Sequence, residues 1–323
     1  KFKGDKNDKK NYNIMRNTFA RVITKITKKN KKIILLAGDI GNKLFDDFKN
    51  KFPKNFYNCG VAESNMTTVA AGLAYNGYQP ITYTITSFNT LKTIEQIKLD
   101  ICYQNLPVII VGVGSGLSYS NLGTTHHSIE DIGMLMNIPK LNIFAPADQQ
   151  ELEILLPQII KQKKPAYLRI GKKNERTVYN SYKCKSKIGK ITQIIKGKNI
   201  CILGYGNILR NCLDALDELS KKINPSIYNV HTLKPINKKQ IKEILKKYHK
   251  ILIVEEHYKH GGLYNLVSEI KVNQRIKDNV ILSLNAGEDY IIGSGDIKNT
   301  HKKLGLDKNA IVKKINFLNK LKC

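Results

Sequence analysis

Asn58-Cys59-Gly60-Val61-Ala62-Glu63-Ser64-Asn65-Met66 is the stretch on which the fold turns. A short apolar run, residues 56–59, reaches a glycine, and Glu63 then opens a helical pattern that continues to Tyr75. A carboxylate at a strand-to-helix junction belongs on the C-terminal rim of a parallel sheet, where α/β folds place their ligands. Further on, Gly123-Thr124-Thr125-His126-His127 puts imidazoles on a glycine-bearing loop that suits the same rim.

Around these two segments, short apolar runs alternate with helical patterns, the signature of a parallel α/β sheet. The spacing predicts strands at 33–37, 56–59, 81–85, 108–113, 141–144 and 166–170, with helices at 14–27, 63–75, 90–103, 128–136 and 149–162. In the helix from Glu63, Met66, Val69, Ala70 and Leu73 recur at i, i+3, i+4 and i+7, which predicts that this face packs on the sheet. Gly77 marks its stop and Asp148 reads as an N-cap for the helix after it. A polar stretch without hydrophobic periodicity follows. It divides a first domain, residues 10–172, from a second, residues 189–323, through a linker at 173–188. The second domain repeats the alternation, with strands expected at 200–203, 226–230, 251–254 and 280–284 and helices at 208–221, 238–247 and 263–271. One or two further helices are expected near the C-terminus. The fold class is therefore α/β, two parallel-sheet domains in sequence.

Composition narrows the function. At 323 residues the chain is long enough for two cores, and 41% hydrophobic with 25% charged residues is ordinary for a globular protein. The net charge of +28 raises the question of nucleic acid. Of the 54 basic residues only six are arginine (Arg16, Arg21, Arg169, Arg176, Arg210 and Arg275). Arginine's bidentate fork is the preferred reader of phosphates and base edges, and it is scarce here. The lysines read as a solvated surface, one that raises the local concentration of anionic substrates. The six cysteines show no C-x-x-C, and Cys59, Cys102 and Cys201 lie in apolar surroundings, which fits a reducing cytoplasm. No run approaches the roughly 20 apolar residues of a membrane span, and the first residues lack an apolar signal core.

The run from Gly60 to Met66, with Gly123 to His127 and the sequence between, resembles the pyrimidine-binding domain of the transketolase family. In the second domain, Val254-Glu255-Glu256-His257 followed by Gly261-Gly262-Leu263 is similar to transketolase C-terminal domains. The resemblance spans nearly the whole chain. It implies that Glu63 faces the aminopyrimidine of thiamine diphosphate, where a glutamate hydrogen-bonds a ring nitrogen and favours the imino tautomer. A buried setting suits a carboxyl to such proton exchange. The aromatic ring that stacks on the aminopyrimidine comes from Tyr83-Thr84-Ile85-Thr86-Ser87-Phe88; Phe88 is the first choice and Tyr83 the second. His126 matches the histidine that contacts the ketose oxygen and moves protons, a task that suits imidazole near neutrality. His127, in place of the family's glutamine, is assigned to the substrate with it. Arg16, Arg169 and Lys172 are the candidates for an anionic group on the substrate, and no metal ligand is assigned.

Departures from the family pattern concern the substrate. Gly114 stands where transketolases often carry a substrate-binding histidine, and Leu122 where they carry an acidic residue. Glu255, Glu256 and His257 read as structural. A complete transketolase also has a diphosphate domain with a Gly-Asp-Gly motif and a downstream asparagine. Ala37-Gly38-Asp39-Ile40-Gly41 is the nearest string in this chain, in the wrong context. The resemblance thus implies an N-terminal partner subunit that holds the diphosphate and Mg²⁺, in an α2β2 heterotetramer acting on a small sugar. The expected activity is transfer of a two-carbon ketol unit to an aldehyde. The alternatives are the β subunit of a 2-oxoacid dehydrogenase and a deoxyxylulose-phosphate-synthase-like enzyme.

Overall fold

The computed structural model describes residues 14–41, 43–173, 175–179, 184–293 and 295–321. The basic N-terminus, Cys323 and part of the expected linker lie outside them. Two sheets organise the chain. The first contains β1 (Ile33–Ala37), β2 (Phe56–Asn58), β3 (Gln79–Ile85), β4 (Ile109–Val113), β5 (Asn142–Phe144) and β6 (Ala166–Ile170), all parallel. The second contains β7 (Thr192–Ile195), β8 (Ile200–Gly204), β9 (Ser226–Asn229), β11 (Lys250–Val254) and β12 (Val280–Leu284), with β7 antiparallel at one edge. The short β10 (Thr232–Lys234) leaves the second sheet's neighbourhood and pairs antiparallel with β5, giving the first sheet the order β10-β5-β6-β4-β3-β1-β2.

Every residue of β1, β3, β4 and β6 is buried, because helices cover both faces of the sheet. On one face Ile33, Leu35 and Leu168 meet Phe19 and Ile23 of the Met15–Lys29 helix and Leu152, Leu155 and Ile159 of the Gln149–Gln162 helix. On the other, Ile34, Leu36 and Ile110 meet Met66, Ala70, Ile97 and Ile101, and this cluster continues into the second domain through Tyr205, Val230, Ile253 and Leu263. The two sheets therefore share apolar core.

The helix Glu63–Tyr75 forms as expected, with Gly77 at φ +83° just past its end. Its buried stripe differs from the predicted one. Glu63, Met66, Thr67, Ala70, Ala71 and Ala74 face inward, while Val69 is exposed and Leu73 sits at the cluster's edge. Small residues win this face since they let the helix lie close on β3. The helix expected at 90–103 is broken into Thr86–Thr90 and helical residues 94–103. Thr86 Oγ1 donates to Val113 O at 3.1 Å and Asn89 Nδ2 to Val111 O at 2.9 Å, so polar side chains tie the first turn to β4 and compete with helix continuation. Asp148 caps its helix through bonds of 3.0 Å from Gln150 N and Glu151 N. Its other oxygen accepts from Val178 N and Tyr179 N, so this part of the polar segment is packed down.

The second domain grips the loop that carries His126. Tyr258 N donates to Ile129 O at 2.6 Å and Gly133 N to His257 Nε2 at 3.0 Å. His257 Nδ1 faces Tyr258 O at 2.8 Å, an arrangement in which the ring donates from Nδ1 and accepts at Nε2. Gly133 and Gly261 cross so closely that a Cβ on Gly261 would lie 2.7 Å from Gly133 Cα. His257 is a structural residue, as its sequence context indicates.

Candidate active site

The C-terminal ends of β2, β3, β4 and β6 converge on one rim. Leaving β2, Asn58 Oδ1 accepts from Gly60 N at 3.0 Å and Asp39 N at 3.2 Å, and Gly60 takes the left-handed conformation at φ +66°. Asp39 is thereby engaged, since its Oδ1 also accepts from Asn58 Nδ2 at 2.9 Å. The turn delivers Glu63 as the first residue of its helix with only 2% of its side chain exposed. Its Oε2 accepts from Lys92 Nζ at 2.7 Å. Lys92 also lies over the face of Phe88, 5.6 Å from the ring centroid.

Phe88 comes from the turn after β3 and is half-buried, with its ring edge-on to His126 at 5.2 Å between centroids. Ser87 Oγ donates to Thr125 O at 3.0 Å, which locks the Phe88 turn to the His126 loop. Gly123, at φ +76°, starts that loop, and its carbonyl accepts from His126 N and His127 N. Thr125 Oγ1 lies 2.9 Å from His126 Nδ1. Burial, and then the charge of Lys172, hold the His126 pKa below the ordinary 6.5. His127 is buried beneath it; burial lowers its pKa, and the nearby backbone of Ser120 opposes that shift without cancelling it.

Past His126 the site becomes cationic. Tyr119 lies 5.6 Å from His126 between ring centroids, and Lys172 Nζ sits 3.9 Å over the Tyr119 ring. Arg16, at the start of the Met15–Lys29 helix, adds its charge. Burial, then Arg16 and Lys173, lower the pKa of Lys172. Glu175 is the nearby carboxyl. Burial pushes its pKa up while Arg16 pulls it down. Lys172 and Arg16 are thus brought to the same rim as Glu63, Phe88 and His126.

Tyr83 and Arg169 are not. Tyr83 is fully buried, stacked on Phe19 at 5.3 Å and edge-on to Phe45 at 4.8 Å, and it reaches the rim only by accepting from Arg16 Nε at 3.3 Å. It packs the core and orients Arg16, which corrects its expected place against an aminopyrimidine. Arg169 is 3% exposed and spends its guanidinium on Asp131 at 2.8 Å and on the carbonyls of Ser128 and Glu256. Burial opposes its charge, but Asp131, Tyr205 and Tyr167 outweigh it and hold the pKa above the ordinary arginine value. Its expected role on a substrate anion is corrected to an interdomain tie. Strand alternation carries that signal: Tyr167 and Arg169 share one face of β6, and both donate to Asp131 Oδ2. Sequence reasoning missed Lys92 as the partner of Glu63, and missed Tyr119 altogether.

Residues 13–177 match the family model for the transketolase pyrimidine binding domain, and residues 189–311 that for the transketolase C-terminal domain. The chain is 28% identical over 300 residues to one of the subunits of the apulose-4-phosphate transketolase of Phocaeicola vulgatus, covering 92% of this chain and 95% of that protein. It is 30% identical to 1-deoxy-D-xylulose-5-phosphate synthase of Clostridium acetobutylicum, covering 92% of this chain but 48% of the synthase. Among solved structures it is similar to a split gene transketolase described as an inactive beta4 tetramer, with a TM-score of 0.84 and 25% identity over 96% of this chain and 99% of that one.

Proposed function

Since the chain belongs to the transketolase family, we propose that it is the C-terminal subunit of a split enzyme that moves a two-carbon ketol unit from a ketose to an aldehyde. The observation that carries this reading is the convergence of Glu63, Phe88 and His126 on one rim, with a buried carboxylate, an aromatic ring and an imidazole in sequence. The division into a pyrimidine-binding section at 10–172 and a C-terminal section at 189–323 is part of the proposal, and so is a cytoplasmic setting. No helix among the described residues is long and apolar enough to cross a membrane.

The residues present fit the aminopyrimidine end of thiamine diphosphate: a carboxyl for a ring nitrogen at Glu63, a ring face at Phe88, and a displaceable ammonium at Lys92. The cofactor, when bound, supplies the carbanion chemistry that breaks and remakes a carbon–carbon bond beside a carbonyl. Glu63 holds and exchanges a proton at Oε2 once Lys92 has swung aside. His126, neutral near pH 7, accepts and returns a proton at the ketose oxygen. Arg16 and Lys172 hold the far, anionic end of the substrate, and His127 supports His126 from below.

The diphosphate and Mg²⁺ are assigned to an N-terminal partner subunit, in an α2β2 assembly. A surface for association is available. Helix Glu63–Tyr75 and residues 94–103 lie side by side, joined by Thr68 Oγ1 to Asp100 Oδ2 at 2.7 Å. They expose Val69, Tyr75, Leu99 and Tyr103 to solvent, with Val61 just before them. Assaying the chain with and without the diphosphate-domain subunit, against ketose donors and a simple aldehyde, tests the reading. Ketol transfer only in the mixture supports it; transfer from a 2-oxoacid and none from any ketose contradicts it.

A further inference from the structure

Tyr119 belongs to no motif, yet it touches His126, Lys172 and the backbone of Gly114. It stands on the turn that leaves β4. Gly114 has φ +80°, and a Cβ built there would run into Cδ2 and Cε2 of Tyr119. The ring therefore lies on bare backbone at the strand's end, in space that a side chain at 114 would need. Its face carries Lys172 Nζ at 3.9 Å, and it meets His126 at 53° between planes. Tyr119 is 8% exposed, so the ring is a fixed wall.

Lysine is a point charge on a flexible stem, and an ammonium wanders unless something holds it. An aromatic face provides that hold through its quadrupole. On the other side, Arg16 is steadied by its Nε bond to Tyr83. The charge of Arg16 is felt at Lys172, where it lowers the pKa as a like charge does, and an anion received by both relieves that repulsion.

We infer that Tyr119 is a positioning residue that sets substrate choice: packed on Gly114, its ring fixes Lys172 beside Arg16 to receive a tetrahedral oxyanion at the end of the ketose remote from His126. The inference rests on the ketol-transfer reading for the identity of the substrate, but the oxyanion site itself does not. The ring also closes the volume over Gly114, so a substrate must pass alongside it.

The test uses the full chain carrying Tyr119→Leu, Tyr119→Phe or Lys172→Met, titrated with inorganic phosphate by calorimetry. In parallel, each variant is assembled with the diphosphate-domain subunit and assayed with D-fructose 6-phosphate and D-fructose. Tyr119→Leu should weaken phosphate binding about tenfold, a change of ~1.4 kcal/mol. It should raise the KM for the phosphorylated ketose by a similar factor, with kcat within about twofold and no rise in KM for the neutral sugar. Tyr119→Phe, which keeps the ring, should rescue the preference. Lys172→Met should reproduce the loss, and Tyr119→Leu should add nothing to it. If Tyr119→Leu does not fold, Lys172→Met and Tyr119→Phe carry the test through the phosphate titration. Phosphate affinity unchanged by Lys172→Met or Tyr119→Leu, no phosphate binding by the unsubstituted chain, or equal losses on both sugars would overturn the inference. A mixture that transfers no ketol unit from any ketose would instead overturn the functional reading, with the phosphate titration still deciding the role of Tyr119.

Discussion

Lys92 Nζ stands 2.7 Å from Glu63 Oε2, with the lysine side chain 52% exposed and the carboxylate 2%. The chain keeps its central carboxylate satisfied with a group that is half in water. Ion pairs with such an exposed member contribute ~0–1 kcal/mol, so an incoming ring displaces Lys92 at little cost. The contact is a placeholder, and it sits where the proposed proton exchange occurs.

Glu63→Gln keeps the shape and removes the exchangeable acid. Ketol transfer by the assembled enzyme should fall about 10²–10⁴-fold, the usual worth of general acid–base catalysis. Stability should change by no more than about 1 kcal/mol, because the lost pair is solvent-screened. Steady-state kinetics and a denaturant midpoint check both, and full activity in the Gln variant would remove Glu63 from the chemistry.

His126→Ala should lower kcat far more than it raises the KM of any ketose, since the lost proton transfer strengthens toward the transition state. Burial and Lys172 lower the His126 pKa, which places the acid limb of the pH profile below pH 6.5. A variant with normal kcat and lost cofactor affinity would show that His126 only packs against Phe88.

Arg169→Met should act on the fold. It strands the buried Asp131 carboxylate, a loss that costs about 3–5 kcal/mol. Chemical denaturation should show that loss, with the KM for phosphorylated ketoses little changed in the folded fraction. An unaltered midpoint with a raised KM would return Arg169 to the substrate.

Acidification should destabilise the chain through its buried histidines. Burial lowers the pKa of His127 and His231 from 6.5, with Glu151 opposing the shift at His231. Below pH 6.5 the unfolded chain therefore binds protons that the folded chain refuses, and stability falls as the pH drops. Glu130 and Glu175 shift the other way, so the histidine part is read as a difference. Between about pH 7.5 and about pH 5.5, His231→Asn should lose less stability than the unsubstituted chain. An equal or greater loss would contradict the assignment.

Much of this was legible in the sequence, and what was not has physical reasons. Parallel strands buried on both faces read as continuous apolar runs, so β1, β4 and β6 stood out. β10 did not, because it has three residues and no periodicity; only its pairing with β5 makes it a strand. The break before residue 94 was hidden because Thr86 and Asn89 bond across to β4, a tertiary preference that no local pattern carries. The meeting of Glu63, Phe88 and His126 on one rim was legible because each follows a strand's end in a motif. Arg169 was misread as open to ligand because its partner, Asp131, lies in a helix far along the chain. Tyr119 left a single trace, a glycine at 114 where a side chain was expected, and that glycine makes room for the ring.

That this chain supplies the aminopyrimidine half of a shared site is tested most directly by calorimetry. Thiamine diphosphate with Mg²⁺ is titrated into the isolated chain, and then into the chain mixed with its diphosphate-domain subunit. Little specific binding is expected in the first case, and saturable binding together with ketol transfer in the second. Tight, Mg²⁺-dependent binding and turnover by the isolated chain would contradict the shared site.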